Sequence, residues 1–251
     1  MPVIRTIRAQ ESKNLFKNLV IGACLHITTE TANLVITLEK CGARVFLTAS
    51  NPLSTQDDVA AALAESGMHV YTVHGDDEEH YINHLKMALS FGSDIVIDDG
   101  GDFAMLLHSD MNYLVPNILG GCEETTTGVH RLEILKKQNQ LAYPVVAVND
   151  ARCKHLFDNR YGTGQSAWDA VMRTTNLTVA AKTVVVAGYG WCGKGVAMRA
   201  RGLGANVIVT EVDPIRAAEA LFDGFAVMSM TEATITIAAT SMRDVTCSPP
   251  R

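Results

Sequence analysis

Residues 184–195, VVVAGYGWCGKG, decide the fold of this 251-residue chain. The β-branched run predicts a buried strand, and the glycines behind it have the G-x-G-x-x-G spacing of a strand-to-helix turn. Gly188 permits a tight turn, Gly190 lets the backbone approach a pyrophosphate, and Gly193 lets the helix pack close to the strand. The N–H groups and positive dipole end of the following helix would face the phosphates. The stretch therefore predicts a dinucleotide-binding turn.

The residues after this turn extend the same pattern. Residues 196–203 have helical periodicity, and Asn206–Thr210 is a second β-branched run with an acid, Glu211, directly behind it. A carboxylate about twenty residues past the glycines accepts hydrogen bonds from ribose hydroxyls. Because it would repel a 2′-phosphate, we expect NAD rather than NADP. The alternative is an α/β turn that holds no ligand.

Composition and charge exclude several classes of protein. The chain is 47% hydrophobic and 19% charged, with a formal charge of −6, as in a soluble α/β protein. The sequence has no Lys/Arg cluster dense enough to predict a nucleic-acid partner. The sequence has no run of about eighteen apolar residues, so no membrane span is predicted, and the N-terminus lacks the apolar core of a signal peptide. Six scattered cysteines without C-x-x-C spacing predict reduced thiols in a cytoplasmic protein, with no zinc site or disulfide framework.

The first half of the chain alternates strand-like and helix-like segments. Such alternation predicts a Rossmann-like parallel sheet with helices on both faces. The strand-like segments are residues 18–25, 43–48, 68–73, 94–97 and 145–148, and the helix-like ones are 28–40, 56–66 and 77–91. Ligands of such sheets bind at the carboxyl ends of the strands.

The second half contains the dinucleotide-binding unit. We expect a helix over residues 154–172 with a break near residues 161–164, a helix over Pro214–Phe222, short strands at 225–228 and 234–240, and an irregular tail at 247–251. The predicted division is a substrate-binding α/β domain at residues 1–153, a connecting helix or hinge at 154–172, and the first half of an NAD-binding Rossmann domain at 173–251.

An acidic turn, DDGGD at residues 98–102, follows one predicted strand. It has three interpretations that its spacing leaves open. The first is a metal site, although a divalent ion usually takes further oxygen ligands from elsewhere. The second is an ordinary turn rich in Asp and Gly. The third is a general base, since crowding among acids raises a carboxyl pKa toward neutral pH.

Three other polar positions also have competing interpretations. The run EETTTG at residues 123–128 is either a capped helix start or a set of hydroxyls for a ribose or phosphate. Lys154, near Asp158 and Asn159, is either in a weak surface ion pair or a proton acceptor. His26, taken alone, is more often a structural histidine than a catalytic one.

Taken together, these runs resemble the S-adenosyl-L-homocysteine hydrolase (adenosylhomocysteinase) family. The matching motifs follow the family's order through about residue 233, and they lie at residues 24–31, 51–58, 97–102, 123–129, 148–150, 154–166, 188–195 and 209–214. The resemblance implies the NAD-dependent, reversible hydrolysis of S-adenosyl-L-homocysteine to adenosine and L-homocysteine. In that chemistry the ribose 3′-hydroxyl is oxidised, the C4′ proton is lost, homocysteine leaves C5′, water adds, and the ketone is reduced again.

The resemblance also implies a role for each candidate residue. Lys154, held by Asp158 and Asn159, would accept the proton of the 3′-hydroxyl. Asp99 would be the acid/base near C4′, a proton-transfer residue rather than a metal ligand. His26 would act at C5′ on the water and the leaving group, and Glu124 would hold the ribose hydroxyls. The implied substrate contacts are Thr28, Glu30, Gln56, Asp99, Glu124, Lys154 and Asp158, and the implied NAD contacts are Thr125, Thr126, Thr127, Asn159, Gly188, Gly190, Gly193 and Glu211.

The family pattern continues beyond this sequence, which we interpret as a C-terminally truncated form. Family members form homotetramers, and we expect a homo-oligomer here. One alternative is a catalytically silent paralogue that binds NAD or a nucleoside, or that regulates full-length subunits. Another is an ordinary NAD-dependent dehydrogenase that releases its product oxidised.

Overall fold

The computed structural model describes the backbone of residues 1–243 and the side chains of residues 1–236. It divides into two compact units, Met1–Asn149 and a second that begins at Asp150. Each unit contains one sheet whose strands are all parallel. No described helix is long and apolar enough to cross a membrane. The expected irregular tail at 247–251 lies outside the described residues.

The first unit has a six-stranded sheet in the order β3-β2-β1-β4-β5-β6. Its strands are β1 Val20–Cys24, β2 Arg44–Thr48, β3 His69–Tyr71, β4 Ile95–Asp98, β5 Gly120–Glu123 and β6 Val145–Ala147. Its helices are α1 Pro2–Gln10, α2 Thr29–Lys40, α3 Asp57–Glu65, α4 Glu78–Leu89, α5 Asp102–Leu107 and α6 Thr126–Lys137. Short 3₁₀ helices are present at Asn112–Asn117 and Val148–Asp150. The predicted parallel α/β sheet is confirmed.

Both faces of this sheet are buried, which explains why its central strands are apolar throughout. Side chains of a strand alternate between the two faces. Val45 and Leu47 of β2 belong to one hydrophobic cluster, whereas Phe46 between them belongs to the other. Helices that cover each face complete the two clusters.

Strand β5 was not predicted from the sequence. It begins with Gly120 and Gly121, which carry no β-branched signal. The structure gives a packing reason for the second glycine. A Cβ at Gly121 would lie 2.9 Å from Val96 Cγ2 of β4 and 3.3 Å from the ring of Tyr143. The close approach of β5 to its neighbours thus removes the side chain that strand prediction uses.

The second unit has a three-stranded sheet in the order β7-β8-β9. A π-helix at Lys154–Thr163 runs directly into α7 Gly164–Thr175. Then follow β7 Thr183–Ala187, α8 Trp191–Gly202, β8 Asn206–Thr210, α9 Pro214–Phe222, β9 Ala226–Val227 and α10 Met230–Arg243. The predicted strand–glycine turn–helix–strand unit is confirmed, with Val186, Tyr189 and Val209 in its core.

The predicted strand at residues 234–240 is wrong, because these residues belong to α10. The alternation of Thr and Ile there resembles a strand. Ser229 and Glu232 form a capping box instead: Ser229 N–H donates to Glu232 Oε2 (2.9 Å), and Glu232 N–H donates to Ser229 Oγ (3.3 Å). Thr234 and Thr236 donate their hydroxyls to carbonyls four residues back, so their polar groups are satisfied within the helix.

Candidate functional site

The polar residues of the first unit gather where the strand order reverses. In the order 3-2-1-4-5-6, the crevice between β1 and β4 is the topological switch point, the usual ligand site of doubly wound sheets. His26 follows β1, Ser50 follows β2, Asp99 follows β4 and Glu124 follows β5. Because Cys24 pairs with Asp98, and Asp98 with Glu123, the strands end at the same level. Sheet topology therefore brings together side chains that are far apart in sequence.

His26, Ser50 and Asp99 contact one another at this crevice. His26 Nε2 lies 3.3 Å from Asp99 Oδ2, and the Ser50 hydroxyl lies 3.1 Å from His26 Nδ1. The same hydroxyl donates to Asp99 Oδ2 over 3.2 Å. The side chain of His26 is 52% exposed, whereas that of Asp99 is 5% exposed. The histidine can thus meet a ligand, with a shielded carboxyl group behind it.

Asp99 is a carboxyl group that titrates near neutral pH. Burial raises its pKa to about 7, and the charge of Glu124 and a hydrogen bond with the Glu124 side chain act in the same direction. The hydrogen bond from Ser50 opposes this rise. A group with a pKa near the working pH can both accept and donate a proton. Asp99 and Glu124 together are therefore suited to acid/base chemistry.

The acids on either side of Asp99 stabilise the loop itself. Asp98 is buried and accepts the N–H groups of Asp99 (3.1 Å) and Ala104 (2.9 Å). Burial raises the pKa of Asp98 to about 7. Asp102 accepts from Arg131 (2.9 Å) and from the hydroxyl of Tyr81 (2.8 Å). Across the described residues, no group of three or more His, Cys, Asp or Glu side chains has a metal-binding arrangement.

The residues expected to hold the nucleoside lie on neighbouring loops of the first unit. Thr28 is the N-cap residue of α2, and Glu30 is in that helix's first turn. Gln56 is the N-cap residue of α3 and donates its N–H to the Ile27 carbonyl over 2.9 Å, which connects the two loops. The pKa of Glu30 is lowered by hydrogen bonds from its own backbone N–H and from the Thr28 side chain. Glu30 therefore offers an ionised acceptor.

The threonines at residues 125–127 begin helix α6. Thr125 is its N-cap, since its hydroxyl oxygen accepts the Gly128 N–H over 3.0 Å. The capped-helix interpretation therefore describes Thr125. Thr126 donates to Asn149 Oδ1 over 3.3 Å, and Thr127 is exposed in the first turn.

Ser50 and Glu123 were not among the predicted site residues. Ser50 contacts two of those residues, and Glu123 is buried and accepts the N–H groups of Gly100 and Thr125. Both lie at strand ends, which is a signal that the sequence does contain. Their partners depend on which strands are neighbours, and this order cannot be read from local pattern.

In the second unit, Lys154 is held by the two residues expected to hold it. Its Nζ lies 3.2 Å from Asp158 Oδ2 and 3.2 Å from Asn159 Oδ1. The Lys154 side chain is 12% exposed, so the ammonium group is largely shielded. The π-helix places the residues four and five positions after the lysine on the same side of the helix as the lysine. Asn159 Nδ2 also lies 3.2 Å from Cys192 Sγ in the first turn of α8, which connects the lysine to the glycine-rich turn.

The glycine-rich turn has the geometry expected for a pyrophosphate. Gly188 has φ +94°, a conformation that side chains other than glycine rarely adopt, and its N–H donates to the Thr210 carbonyl over 2.7 Å. A Cβ at Gly193 would collide with the carbonyl of Gly188. The space next to Gly190 is open except for the end of Arg216. Helix α8 then begins at Trp191 with its N–H groups facing the turn.

Glu211 is a fixed acceptor at the end of β8. Its Oε2 accepts the Tyr189 N–H (2.6 Å), and its Oε1 accepts those of Val212 (2.7 Å) and Asp213 (3.0 Å). Backbone donors, with that of Asp213 first, hold the pKa of Glu211 below its usual range. A cleft of about 450 Å³ opens beside it, lined by Ala187, Gly188, Thr210, Glu211, Val212, Met228, Ser229 and Met230. A dinucleotide fits this combination of a glycine-rich turn, a helix N-terminus and a carboxylate.

Two family models match this chain. Residues 1–115 match "S-adenosyl-L-homocysteine hydrolase", and residues 159–249 match "S-adenosyl-L-homocysteine hydrolase, NAD binding domain". The chain belongs to the S-adenosyl-L-homocysteine hydrolase family. The recognition made from the sequence motifs is confirmed, and NAD is the cofactor of the matched domain.

Relatives of this chain have two different names. It is 58% identical over 235 residues to an adenosylhomocysteinase of Aquifex aeolicus, covering 93% of this chain and 56% of that protein. It is 56% identical over 250 residues to an S-inosyl-L-homocysteine hydrolase of Methanocaldococcus jannaschii, covering 98% of this chain and 60% of that protein. It is also 56% identical over 234 residues to an adenosylhomocysteinase of Pyrococcus abyssi, covering 93% of this chain and 56% of that protein. The chain thus spans up to about 60% of these relatives' lengths.

Proposed function

We propose that this protein catalyses the NAD-dependent, reversible hydrolysis of S-adenosyl-L-homocysteine to adenosine and L-homocysteine. One observation carries the proposal. In a chain of this family, Asp99, with a pKa of about 7, contacts His26, Ser50 and Glu124 at the switch point of the first sheet. The proposal assigns substrate to residues 1–153, a hinge to 154–172 and the dinucleotide to residues from 173 on.

The proposal gives each group a step in the chemistry. The glycine-rich turn and Glu211 would hold NAD, which would supply reversible hydride transfer at the ribose 3′ carbon. Lys154, positioned by Asp158 and Asn159, accepts the 3′-hydroxyl proton in its neutral amine form. Asp99 removes and returns the proton at C4′. His26, on the exposed side of Asp99, handles the protons of the leaving thiol and the entering water at C5′.

The remaining assigned residues bind and orient. Glu124 holds the ribose hydroxyls beside Asp99, and Thr28, Glu30 and Gln56 hold the nucleoside. For NAD, the glycines of the turn accommodate the pyrophosphate and Glu211 accepts from a ribose. The threonines Thr125, Thr126 and Thr127, with Asn159, are proposed as further NAD contacts.

A second candidate substrate is S-inosyl-L-homocysteine, because the relative from Methanocaldococcus jannaschii bears that name at 56% identity. The two substrates differ in the purine, since adenine has an amino group where hypoxanthine has an oxygen. The pKa of Glu30 is lowered, so its ionised side chain requires a donor on the ligand. The amino group of adenine is such a donor at the purine 6-position, where hypoxanthine has an oxygen and has its N–H at the neighbouring N1, so a carboxylate aligned with the 6-position favours the adenosyl substrate.

The test is homocysteine release from each substrate by the purified chain, with and without added NAD. We expect NAD-dependent thiol release, faster with the adenosyl substrate and abolished in Lys154→Met. Lys182→Met removes an exposed lysine of the same unit and serves as the matched control. Release from the inosyl substrate alone would favour the second candidate. No release from either substrate by folded protein would overturn both, and NADH accumulation would indicate a net dehydrogenase.

Assembly and location are further parts of the proposal. We propose a homo-oligomer, a tetramer by family resemblance, and light scattering of the purified chain would test this. We also propose a cytoplasmic location. The described cysteines Cys24, Cys41, Cys122, Cys153 and Cys192 are free thiols, as is usual in a reducing compartment.

A further inference from the structure

Glu123, the last residue of β5, is a fully buried carboxylate with no assigned role. Its side chain is 0% exposed. Its Oε1 accepts three hydrogen bonds, from the Gly100 N–H (2.9 Å), the Thr125 N–H (2.8 Å) and the Thr125 hydroxyl (2.8 Å). Its Oε2 is buried and has no hydrogen-bond partner among the described residues. A buried charge with one oxygen unsatisfied is costly, so it calls for an explanation.

The hydrogen bonds of Glu123 connect the two loops that carry the acid pair. Gly100 is the residue after Asp99, and Thr125 is the residue after Glu124. One carboxylate oxygen therefore fixes the backbone beside both acids. The Gly128 backbone packs against the carboxyl group, and a Cβ at that position would collide with it. Glycine at residue 128 thus makes room for the carboxylate at the start of α6.

A link between two loops does not by itself require a charge. A glutamine carbonyl would accept the same hydrogen bonds, and burying it would cost less than burying a carboxylate. The charge of Glu123 has an effect that an amide would not have, since it contributes to raising the pKa of Asp99. Hydrogen bonds and charge thus act on the same neighbour.

We propose that Glu123 is a positioning residue for the proposed hydrolase reaction: its buried carboxylate accepts the N–H groups of Gly100 and Thr125 and thereby holds the Asp99 and Glu124 loops in register. The inference rests on the proposed function. Glu123 acts through Asp99 and Glu124 and does not itself touch the substrate.

The test compares Glu123→Gln with Glu133→Gln, which neutralises an exposed glutamate on α6, the helix that follows β5. Because Glu123→Gln keeps the acceptor oxygen and loses only the charge, we expect its kcat to fall by less than about tenfold, with little change in KM. The acidic limb of the kcat/KM profile should move to lower pH, because Asp99 loses a neighbouring negative charge. Glu133→Gln should match the wild type. A lower Tm with unchanged kcat and an unchanged pH profile would overturn the proposal and indicate a purely structural role.

Glu123→Asp separates reach from charge and is the second variant if Glu123→Gln does not fold. It keeps the carboxylate but shortens the side chain by one methylene, so it cannot reach both loops. We expect kcat to fall while the acidic limb stays near its wild-type position. A Glu123→Asp enzyme with wild-type kcat would contradict the positioning role.

A direct titration keeps this test independent of the hydrolase assay. Carboxyl ¹³C NMR, assigned with Asp99→Asn, reports the pKa of Asp99 in the free chain. Glu123→Gln should lower that pKa, whereas Glu133→Gln should leave it unchanged. If the wild type releases no homocysteine, the proposed function fails, but a lowered pKa of Asp99 would still support the electrostatic role. An unchanged pKa would overturn the inference whether or not the chain is active.

Discussion

Asp99 in the first unit and Glu211 in the second are carboxyl groups just after a parallel strand, yet they have opposite environments. Asp99 is buried, and burial beside Glu124 raises its pKa to about 7. Glu211 accepts three backbone N–H groups, which lower its pKa. Burial beside another acid produces a proton carrier, whereas backbone donors produce a permanent acceptor. Position after a strand predicts that a carboxylate meets a ligand, and its surroundings determine what it does there.

The largest effect expected from this comparison is the loss of proton transfer at Asp99. Asp99→Asn keeps the size of the side chain but removes its titration, and we expect kcat for homocysteine release to fall by about 10²–10⁴-fold. The comparison variant is Asp110→Asn, at an exposed ion pair with Lys86, which should retain full activity. An Asp99→Asn enzyme within about threefold of the wild type would remove Asp99 from the proposed chemistry.

The next effect concerns how the second unit holds its lysine. A Cβ at Gly195 would collide with the carbonyl of Arg160, in the π-helix that carries Lys154. Gly195→Ala should therefore lower the free energy of unfolding by about 1–3 kcal/mol and reduce NAD affinity. Urea unfolding and titration with NAD measure the two quantities.

Gly202→Ala is the matched control on the same helix. A Cβ at Gly202 has no described atom within 4 Å, so alanine meets no obstacle there. We expect this variant to be as stable as the wild type or more stable by about 0.4–1 kcal/mol. Equal behaviour of the two alanine variants would show that the Gly195 contact does not fix the π-helix.

A smaller effect is expected when Glu211 loses its charge. Glu211→Gln keeps an acceptor oxygen but exchanges a charged hydrogen bond for a neutral one, a difference of about 1 kcal/mol. The Kd for NAD should rise by about fivefold to tenfold. Since the pKa of Glu211 is lowered, the ratio of variant to wild-type Kd should be equal at pH 6 and pH 8. A ratio that changes between these pH values would mean that Glu211 titrates and that the contrast with Asp99 is wrong.

The last effect is on the free energy of unfolding as a function of pH. The pKa of Asp99 is raised on folding, so the folded state binds its proton more tightly and stability falls as pH rises toward about 7. Asp99→Asn should flatten this slope, by at most about 1.4 kcal/mol per pH unit between pH 4 and 7. Chemical denaturation at pH 5, 6, 7 and 8 measures the difference. If the unfolding free energies of the wild type and of Asp99→Asn changed equally with pH over this range, the raised pKa would be contradicted.

Local pattern predicted most of both sheets, and its failures have physical causes. Apolar, β-branched runs identified β1, β2, β4, β7 and β8, because strands buried on both faces require them. Strand β5 escaped because close packing against Val96 and Tyr143 requires a glycine. The helix at Met230–Arg243 escaped because hydroxyl-to-carbonyl bonds let threonines occupy it.

The site was predictable to the extent that its residues lie in motifs. His26, Asp99, Glu124 and Lys154 came from the family resemblance, and the structure supplies their partners. The Ser50 hydroxyl contacts both His26 and Asp99 because β2, β1 and β4 are neighbours. That adjacency is a property of topology, which strand-by-strand reading of the chain does not contain.

The π-helix at Lys154–Thr163 makes this region unusually sensitive to a change in chain length. Its hydrogen bonds join residues five apart, so each turn contains more residues than a turn of an α-helix. The residues that follow therefore have a different orientation from those that would follow an α-helix of equal length. Deleting one residue after Asn159 would let the segment rewind as an α-helix and rotate all that follows by about 100° relative to Lys154. Gly164, which packs against Gly195, would then turn away from α8. For folding, point substitutions at positions of this segment other than Lys154, Asp158 and Asn159 should therefore be better tolerated than a single-residue deletion.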